Sequence, residues 1–395
     1  MISCGEPSGD LYAGALVAAL RGREPDIDVF GLGGERLQAA GGRLVANFHG
    51  LSVTGLTEAL RVLPRSWTTL RTLVDAARDQ KPDALVVIDY PDFNFRLMTA
   101  IKRLGVPVIY YVSPQLWAWR AGRIKTMKTV VDCVLPIFPF EEAMYRRENM
   151  DVRFVGHPLI DLARPTLSRD AFLRTLNLDP AAPVVALLPG SRTNELTRLA
   201  PVMADAAALI TARLRDRNVA SGLPGNVACG FSRINDVQFI VARAPHLSAS
   251  LFEGFGIPGV TLRMVEGQTD DVLNASDAVV TASGTATVQT ALHGKPMVVL
   301  YKLSPMTYRL GKPLARVDMY AMVNLIAGER VVVELIQDAC TADAVADEAV
   351  RLLTDAAYRS RMIDSLAEVR SRLGGPGASA RAADAVLHVI HSKQE

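Results

Sequence analysis

Asp89 follows the apolar run Ala84-Leu85-Val86-Val87-Ile88 and precedes Tyr90-Pro91, so a carboxylate is expected at the carboxyl end of a buried strand. A carboxyl group partly withdrawn from water at such a place can take a proton as a general base. The same position also suits an Asx-turn residue ahead of a proline. Asp92 is the second carboxylate of this stretch, either as a base or as a cap for the following helix. Farther along, Gly190-Ser191-Arg192 follows the run 184–188, and Ser283-Gly284-Thr285-Ala286-Thr287 follows the run 278–281. Each reads as a glycine turn between a strand and a helix, where backbone amides and the helix dipole converge on an anion. Arg192 adds a guanidinium that can grip a phosphate, or it pairs with Glu195 as a surface residue. Two anion sites in one half of the chain suit a diphosphate.

A third glycine turn opens the chain. Cys4-Gly5-Glu6-Pro7-Ser8-Gly9-Asp10 reads as a strand end and a helix start, with Gly9 allowing close approach of a ligand and Ser8 and Asp10 able to cap the helix. Leu11, Ala15, Leu16, Ala19 and Leu20 are spaced as the buried face of that helix. Trp117 and Trp119 lie one residue apart in a strand-to-helix loop and suit stacking on a sugar, lining of an acyl channel, or wedging of the core. His157 before Pro158 reads as a hinge or core histidine, and no His, Cys, Asp or Glu cluster has metal-ligand spacing. Asp26-Ile27-Asp28 precedes a strand instead of ending one, so neither a metal nor any other cofactor is expected.

These residues need a scaffold that brings strand ends together. Short β-branched runs at 29–30, 84–88, 106–112, 184–188, 237–241, 278–281 and 297–301 alternate with helical patterns, which implies parallel sheets with helices on both faces. Ligands of such sheets bind at the carboxyl ends of the strands, where every candidate above falls. The length of 395 residues and a glycine turn opening each half argue for two domains, 1–163 and 164–375, with the boundary in the polar stretch 161–170 and residues 376–395 returning to the first domain. The balance of 43 basic against 41 acidic residues gives no global attraction to nucleic acid. Four dispersed cysteines read as buried thiols. The longest apolar runs fall far short of the about 20 residues a spanning helix needs, and no secretory leader opens the chain, so a cytoplasmic protein is expected. Leu56, Leu60, Leu63 and Trp67, interleaved with Arg61, Arg65 and Arg71, fit either a core-facing helix or one that settles on an anionic membrane.

The wording of the motifs is more specific than their type. Cys4 to Asp10, Ile88-Asp89-Tyr90-Pro91-Asp92-Phe93-Asn94, 111–120, Phe154-Val155-Gly156-His157-Pro158-Leu159, Leu188-Pro189-Gly190-Ser191-Arg192, 283–287 and Val323-Asn324-Leu325-Ile326-Ala327-Gly328 together resemble the lipid-A-disaccharide synthases. That resemblance implies a GT-B fold, two Rossmann-like α/β domains with the active site in the cleft between them. It implies inverting transfer of 2,3-diacylglucosamine from UDP-2,3-diacylglucosamine to 2,3-diacylglucosamine 1-phosphate (lipid X), at the cytoplasmic face of the inner membrane. It also implies catalytic roles for Asp89, Arg192 and Asn324, and substrate or UDP contacts for Ser8, Gly9, Asp92, Trp119, Gly190, Ser191, Ser283, Gly284, Thr285 and Gln289. Glu334 is a weaker candidate on the surface of Asn324.

Three features depart from the family pattern. The first strand has only residues 1–4, so a frayed strand is expected, and 217–236 reads as an inserted surface loop. Gln289 stands where the family carries a glutamate that would accept the ribose hydroxyls, so nucleotide binding is expected to weaken. Restoring the acid is then expected to tighten UDP binding about tenfold. A nicotinamide-dependent oxidoreductase is the first rival, but its ribose-binding acid is missing from the second strand end, Gly31-Leu32-Gly33-Gly34. An exported solute receptor lacks its leader here, and a transferase of N-acetylglucosamine to another lipid carrier shares the fold but not the named motifs.

Overall fold

The computed structural model of the chain describes residues 1–49, 51, 56–117, 122–221, 234–304, 308–309 and 318–392. It divides into two units, Met1–Asp161 with Leu373–Glu395, and Leu162–Arg372.

The first unit is built on six parallel strands: β1 (Ile2–Cys4), β2 (Phe30–Gly33), β3 (Arg43–Asn47), β4 (Leu85–Ile88), β5 (Val108–Tyr111) and β6 (Cys133–Leu135), in the order β3-β2-β1-β4-β5-β6. The strand expected to fray is instead held on both sides, Ile2 opposite Gly31 of β2 and Val86 of β4. Three residues suffice because central position gives Ile2 and Ser3 a partner on each side and pairs Cys4 with Ile88. β4 and β5 are wholly buried, the continuous apolar reading of a parallel strand covered on both faces.

The second unit repeats the plan with β7 (Val184–Leu188), β8 (Gln238–Arg243), β9 (Thr261–Glu266), β10 (Ala278–Ala282), β11 (Met297–Tyr301) and β12 (Val333–Ile336), in the order β12-β11-β10-β7-β8-β9. In both units the chain moves outward one way from the first strand and then the other way from the fourth. The neighbours β1 and β4, and likewise β7 and β10, therefore flank the switch point at which doubly wound sheets bind ligands.

Two local expectations are corrected. The helix Pro7–Arg21 buries Tyr12, Ala13, Leu16, Val17 and Leu20, while Leu11, Ala15 and Ala19 are half-exposed, so the buried face is turned from the one expected. Asp10 does not cap its own helix. Its buried carboxylate accepts from the backbone N–H groups of Gly34, Arg36 and Leu37 at 2.7, 2.9 and 3.1 Å, capping the helix Glu35–Ala39 that follows β2. A carboxylate thus fills the anion position of that helix.

The C-terminal helix Ala378–His391 belongs to the first unit. Asp161 Oδ2 accepts from the N–H groups of Gly377 and Ala378 at 2.8 and 3.2 Å, and Arg381 Nε donates to Val155 O at 2.9 Å. The helix Thr193–Ser221 runs into the stretch read as an insertion, so 217–221 are helical, and 222–233 lie outside the described residues.

Candidate functional site

In the first unit Asp89 leaves β4 at the switch point, and it does so strained. Asp89 and Tyr90 both adopt left-handed backbone, with φ of 47° and 48°. Such conformations cost of order 1–3 kcal/mol each and persist where surrounding contacts impose them. Here those contacts are visible. Asn94, fully buried in the helix Pro91–Lys102, donates through Nδ2 to Asp89 O at 2.7 Å and accepts from Ser3 Oγ at 2.7 Å. Tyr110 donates its hydroxyl to Asp89 O at 3.1 Å, and Tyr90 donates its own to Leu51 O at 2.8 Å. The Tyr90 ring lies over Gly5, where a Cβ would fall 2.1 Å from a ring carbon, so only glycine fits beneath it. The Asp89 carboxylate helps raise the Tyr12 and Tyr110 hydroxyls above their ordinary range, after burial, which places it among buried phenols.

The other residues assigned to this end differ. Asp92 sits in the first turn of its helix, largely exposed and paired with Arg123, while Tyr90 takes the cap position. Ser8 is half-buried in the first turn of Pro7–Arg21, and Gly9 is buried against Cys4 and Ile88 as a packing glycine. Trp117 is half-buried with its indole N–H on Glu141 Oε1 at 3.2 Å; Trp119 lies outside the described residues. His157 is a core residue, its ring between Tyr12 and Phe138, and burial pushes its pKa down to about 3.

In the second unit both glycine turns fall at the switch point, one after β7 and one after β10. Gly190 has φ of 106°, and a Cβ there would stand 2.4 Å from Glu195 Oε2, so the turn closes only on glycine. Arg192 O accepts from Leu196 N, which begins the helix Thr193–Ser221, and Arg192 Nη1 stands 3.3 Å from Glu195 Oε1. Its side chain is 43% exposed, so the guanidinium is held by that pair yet open to a ligand. Ser191 is exposed, its carbonyl 2.7 Å from His246 Nε2. Gly284 caps the helix Thr285–Leu292 with open space beside it, and Thr285 is exposed at the first helical position. Ser283 spends its hydroxyl hydrogen on Tyr320 O at 2.8 Å.

Asn324 is the chief correction. Its side chain is fully buried and its hydrogen bonds are internal: Nδ2 donates to Val332 O and Glu334 Oε1, and Oδ1 accepts from the N–H groups of Val331 and Val332, all within 3.0 Å. An amide with four such bonds has nothing left for a ligand. Glu334 is structural too, accepting from Tyr320 N and Ala321 N at 3.1 and 2.8 Å. Hydrogen bonds thus link Asn324, through Glu334 and Tyr320, to the Ser283 turn.

Gln289 is half-buried, and its Nε2 donates to Asp270 Oδ1 at 2.7 Å, an oxygen that His293 Nε2 also meets at 2.8 Å. The amide is thereby oriented, leaving its carbonyl as the acceptor available to a hydroxyl. Sequence reasoning missed Asp270, as well as Asn94 and Glu141. Asp270 reads as one of two helix-start acids, Asn94 as a polar residue in an apolar helix, and Glu141 as one of two acids after a proline. Their partners stand 19, 91 and 24 residues away in sequence.

Two doubly wound units of identical strand order, the first with a strained carboxylate and the second with paired glycine turns at its switch point, define a GT-B-type fold. Solved structures agree at the level of fold: a putative UDP-N-acetylglucosamine 2-epimerase from Listeria monocytogenes (TM-score 0.64, 15% identity, 100% of this chain and 96% of that one) and the calicheamicin glycosyltransferase CalG4 (TM-score 0.59, 15% identity, 100% and 98%). The chain belongs to the lipid-A-disaccharide synthase family, whose sequence profile, described as lipid-A-disaccharide synthetase, matches residues 1–221 and 234–386. It is 43% identical to the lipid-A-disaccharide synthase of Myxococcus xanthus, over 99% of this chain and 97% of that protein. The profile match is interrupted at 222–233, inside the stretch read as an insertion.

Proposed function

We propose that the protein is a hexosyltransferase that moves 2,3-diacylglucosamine from UDP-2,3-diacylglucosamine to the 6-hydroxyl of 2,3-diacylglucosamine 1-phosphate, giving a β-1,6 disaccharide 1-phosphate and UDP. Family membership over nearly the whole chain supports the substrates. The observation that carries the mechanism is Asp89, held in strained backbone at the β1/β4 switch point by Asn94 and Tyr110. In a single displacement the acceptor oxygen attacks C1 of the donor sugar while its proton passes to the Asp89 carboxylate. The C1–oxygen bond to the diphosphate breaks and its electron pair leaves with UDP, so the α-linked donor becomes a β-linked product.

Charge on the departing diphosphate is met by Arg192 and by the helix N-termini at Gly190-Ser191-Arg192 and Ser283-Gly284-Thr285. The Gln289 carbonyl accepts a ribose hydroxyl. Asn324 and Glu334 hold the second turn in place without touching substrate. Ser8 and Gly9 shape the acceptor end, and Asp92 is its outer carboxylate. UDP release measured with the acylated donor, with and without the lipid acceptor, tests the assignment; release that ignores the acceptor, or none at all, refutes it.

Acylated substrates require a membrane surface, and no helix among the described residues is long and apolar enough to cross a membrane. The helix Leu56–Gln80 turns Leu70, Leu73 and Ala77 into the core but leaves Leu63 and Trp67 exposed, with Arg65 and Arg71 exposed beside them. That exposure supports docking of the Leu63 and Trp67 face on the anionic cytoplasmic face of the inner membrane, while the side chains of Leu56, Leu60 and Arg61 lie outside the described residues. Trp67→Ala should reduce sedimentation with anionic vesicles; equal sedimentation of mutant and parent rules this face out.

A further inference from the structure

Glu141 is a buried acid in the first unit that the mechanism leaves unused. It lies in the first turn of the helix Pro139–Arg147, which follows β6, and is wholly buried. Oε1 accepts from Trp117 Nε1 at 3.2 Å, whereas Oε2 is buried without a hydrogen-bond partner, as is the hydroxyl of neighbouring Ser113. Ser113 and Trp117 belong to the loop 112–117 that leaves β5, the strand next to the one that ends at Asp89. The loop begins on Val112 at φ 56°, a left-handed conformation that a β-branched residue adopts only under constraint. One turn beyond Glu141, Tyr145 donates its hydroxyl to Pro114 O at 3.4 Å. Glu141 and Tyr145 thus hold the same strained loop at two points, from one helix.

We propose that Glu141 is a positioning residue for the transfer reaction, a buried acid that clamps the 112–117 loop through Trp117, with Tyr145 on Pro114 as the second hold. The proposal rests on the reading of Asp89 as the base. An ionised carboxylate here would be wholly buried with no cation beside it, a costly arrangement that a protonated acid avoids. Burial first, then the nearby Asp89 carboxylate, push the Glu141 carboxyl up to about 8, while the polar groups of Trp117, Ser113 and the Phe138 backbone draw it down. The groups facing it are Asp89 at the end of β4 and Tyr145 on its own helix, and burial keeps the Tyr145 phenol neutral to far higher pH. His157, close to Phe138 on the same segment, is neutral throughout this range. Above pH about 8, Glu141 therefore acquires a buried charge with no cation beside it, and its hold on the loop is expected to loosen.

The test compares pH profiles of turnover in Glu141→Gln, Glu141→Leu and the parent, with tryptophan emission followed over the same range. The parent should lose turnover and shift its emission with a midpoint near 8. Glu141→Gln keeps an acceptor for Trp117 and cannot ionise, so it should work within about threefold of the parent at pH 7 and lose both the alkaline fall and the emission change. Glu141→Leu should lose about tenfold or more in turnover at every pH, with the fold retained by circular dichroism. An unchanged alkaline fall in Glu141→Gln overturns the proposal. So does a collapse of its turnover at pH 7 in a folded protein, which would make Glu141 a proton-transfer group. Asp89→Asn, run in parallel, separates the two readings: if it keeps full turnover the base is misassigned, while the emission midpoint still reports on the Glu141 clamp.

Discussion

Changing Gln289 to glutamate restores the acid that the family pattern carries, and local reasoning expects about tenfold tighter UDP binding from a charged acceptor on the ribose. The structure changes that expectation. Gln289 Nε2 donates to Asp270 Oδ1 at 2.7 Å, and His293 Nε2 anchors the same oxygen at 2.8 Å. A glutamate oxygen in place of the amide nitrogen would meet that carboxylate at about the same separation. Two unit charges roughly 3 Å apart repel by roughly 5 kcal/mol at an effective dielectric near 20, before further screening by water. Asp270 is 25% exposed, so part of this is screened. A charge-assisted hydrogen bond of about 1.5–3 kcal/mol is lost as well. Both penalties act in the free and the bound protein alike, so they lower the melting temperature. Relieving them by turning the new carboxylate away from Asp270 or by protonating it withdraws the charged acceptor from the ribose, so Gln289→Glu should bind UDP no better than the parent and as much as about tenfold more weakly. Gln289→Glu/Asp270→Asn removes the like charge and supplies an amide donor, and should bind about tenfold more tightly than the parent. Titration calorimetry with UDP and thermal denaturation of the parent and both variants decide the matter. Tenfold tighter binding by Gln289→Glu alone, at an unchanged melting temperature, would refute the coupling to Asp270.

Asp89→Asn keeps shape and removes basicity, so turnover should fall about a hundredfold or more while UDP affinity holds; unaltered turnover contradicts the role of Asp89. Arg192→Ala should weaken UDP binding about tenfold along with turnover, and equal affinity in calorimetry would put Arg192 outside the site. Asn324→Ala leaves two backbone N–H groups and Glu334 short of a partner and should cost about 3 kcal/mol or more of stability in a urea melt; a stable variant with lost activity would return Asn324 to the catalytic group. His157 has a folded pKa of about 3 against an ordinary 6.5, so the unfolded chain binds its proton first. Its contribution is whole above pH 6.5 and is lost as pH falls, by about 2 kcal/mol between pH 6.5 and 5, a loss that His157→Gln should remove from the acid limb of denaturant stability.

The central strands were legible because a strand covered on both faces must be apolar along its whole length. Residues 184–188 and 297–301 coincide with β7 and β11, and the runs that predict β4, β5, β8 and β10 lie within two residues of them at either end. The strands that were missed, β3, β6, β9 and β12, are the four sheet edges. β3, β9 and β12 are partly exposed, and β6 is only three residues long. An edge strand has a neighbour on one side only, so its composition tells little from that of a loop. The glycine turns were legible for a similar local reason, since a strand end, a glycine and a helix start are neighbours in sequence. What those turns do with their side chains was decided by tertiary structure. Asp10 serves the next helix, Asn324 closes on β12, Gln289 leans on Asp270, and Glu141 holds a loop from the neighbouring strand. Each pairing joins residues 7 to 27 positions apart that only the sheet order brings within hydrogen-bond reach. Residue type and spacing determined which groups stand at the strand ends, because that follows from local periodicity. Which of them keep a polar atom for a ligand was left to packing, because a buried polar group must first find its partner inside the fold.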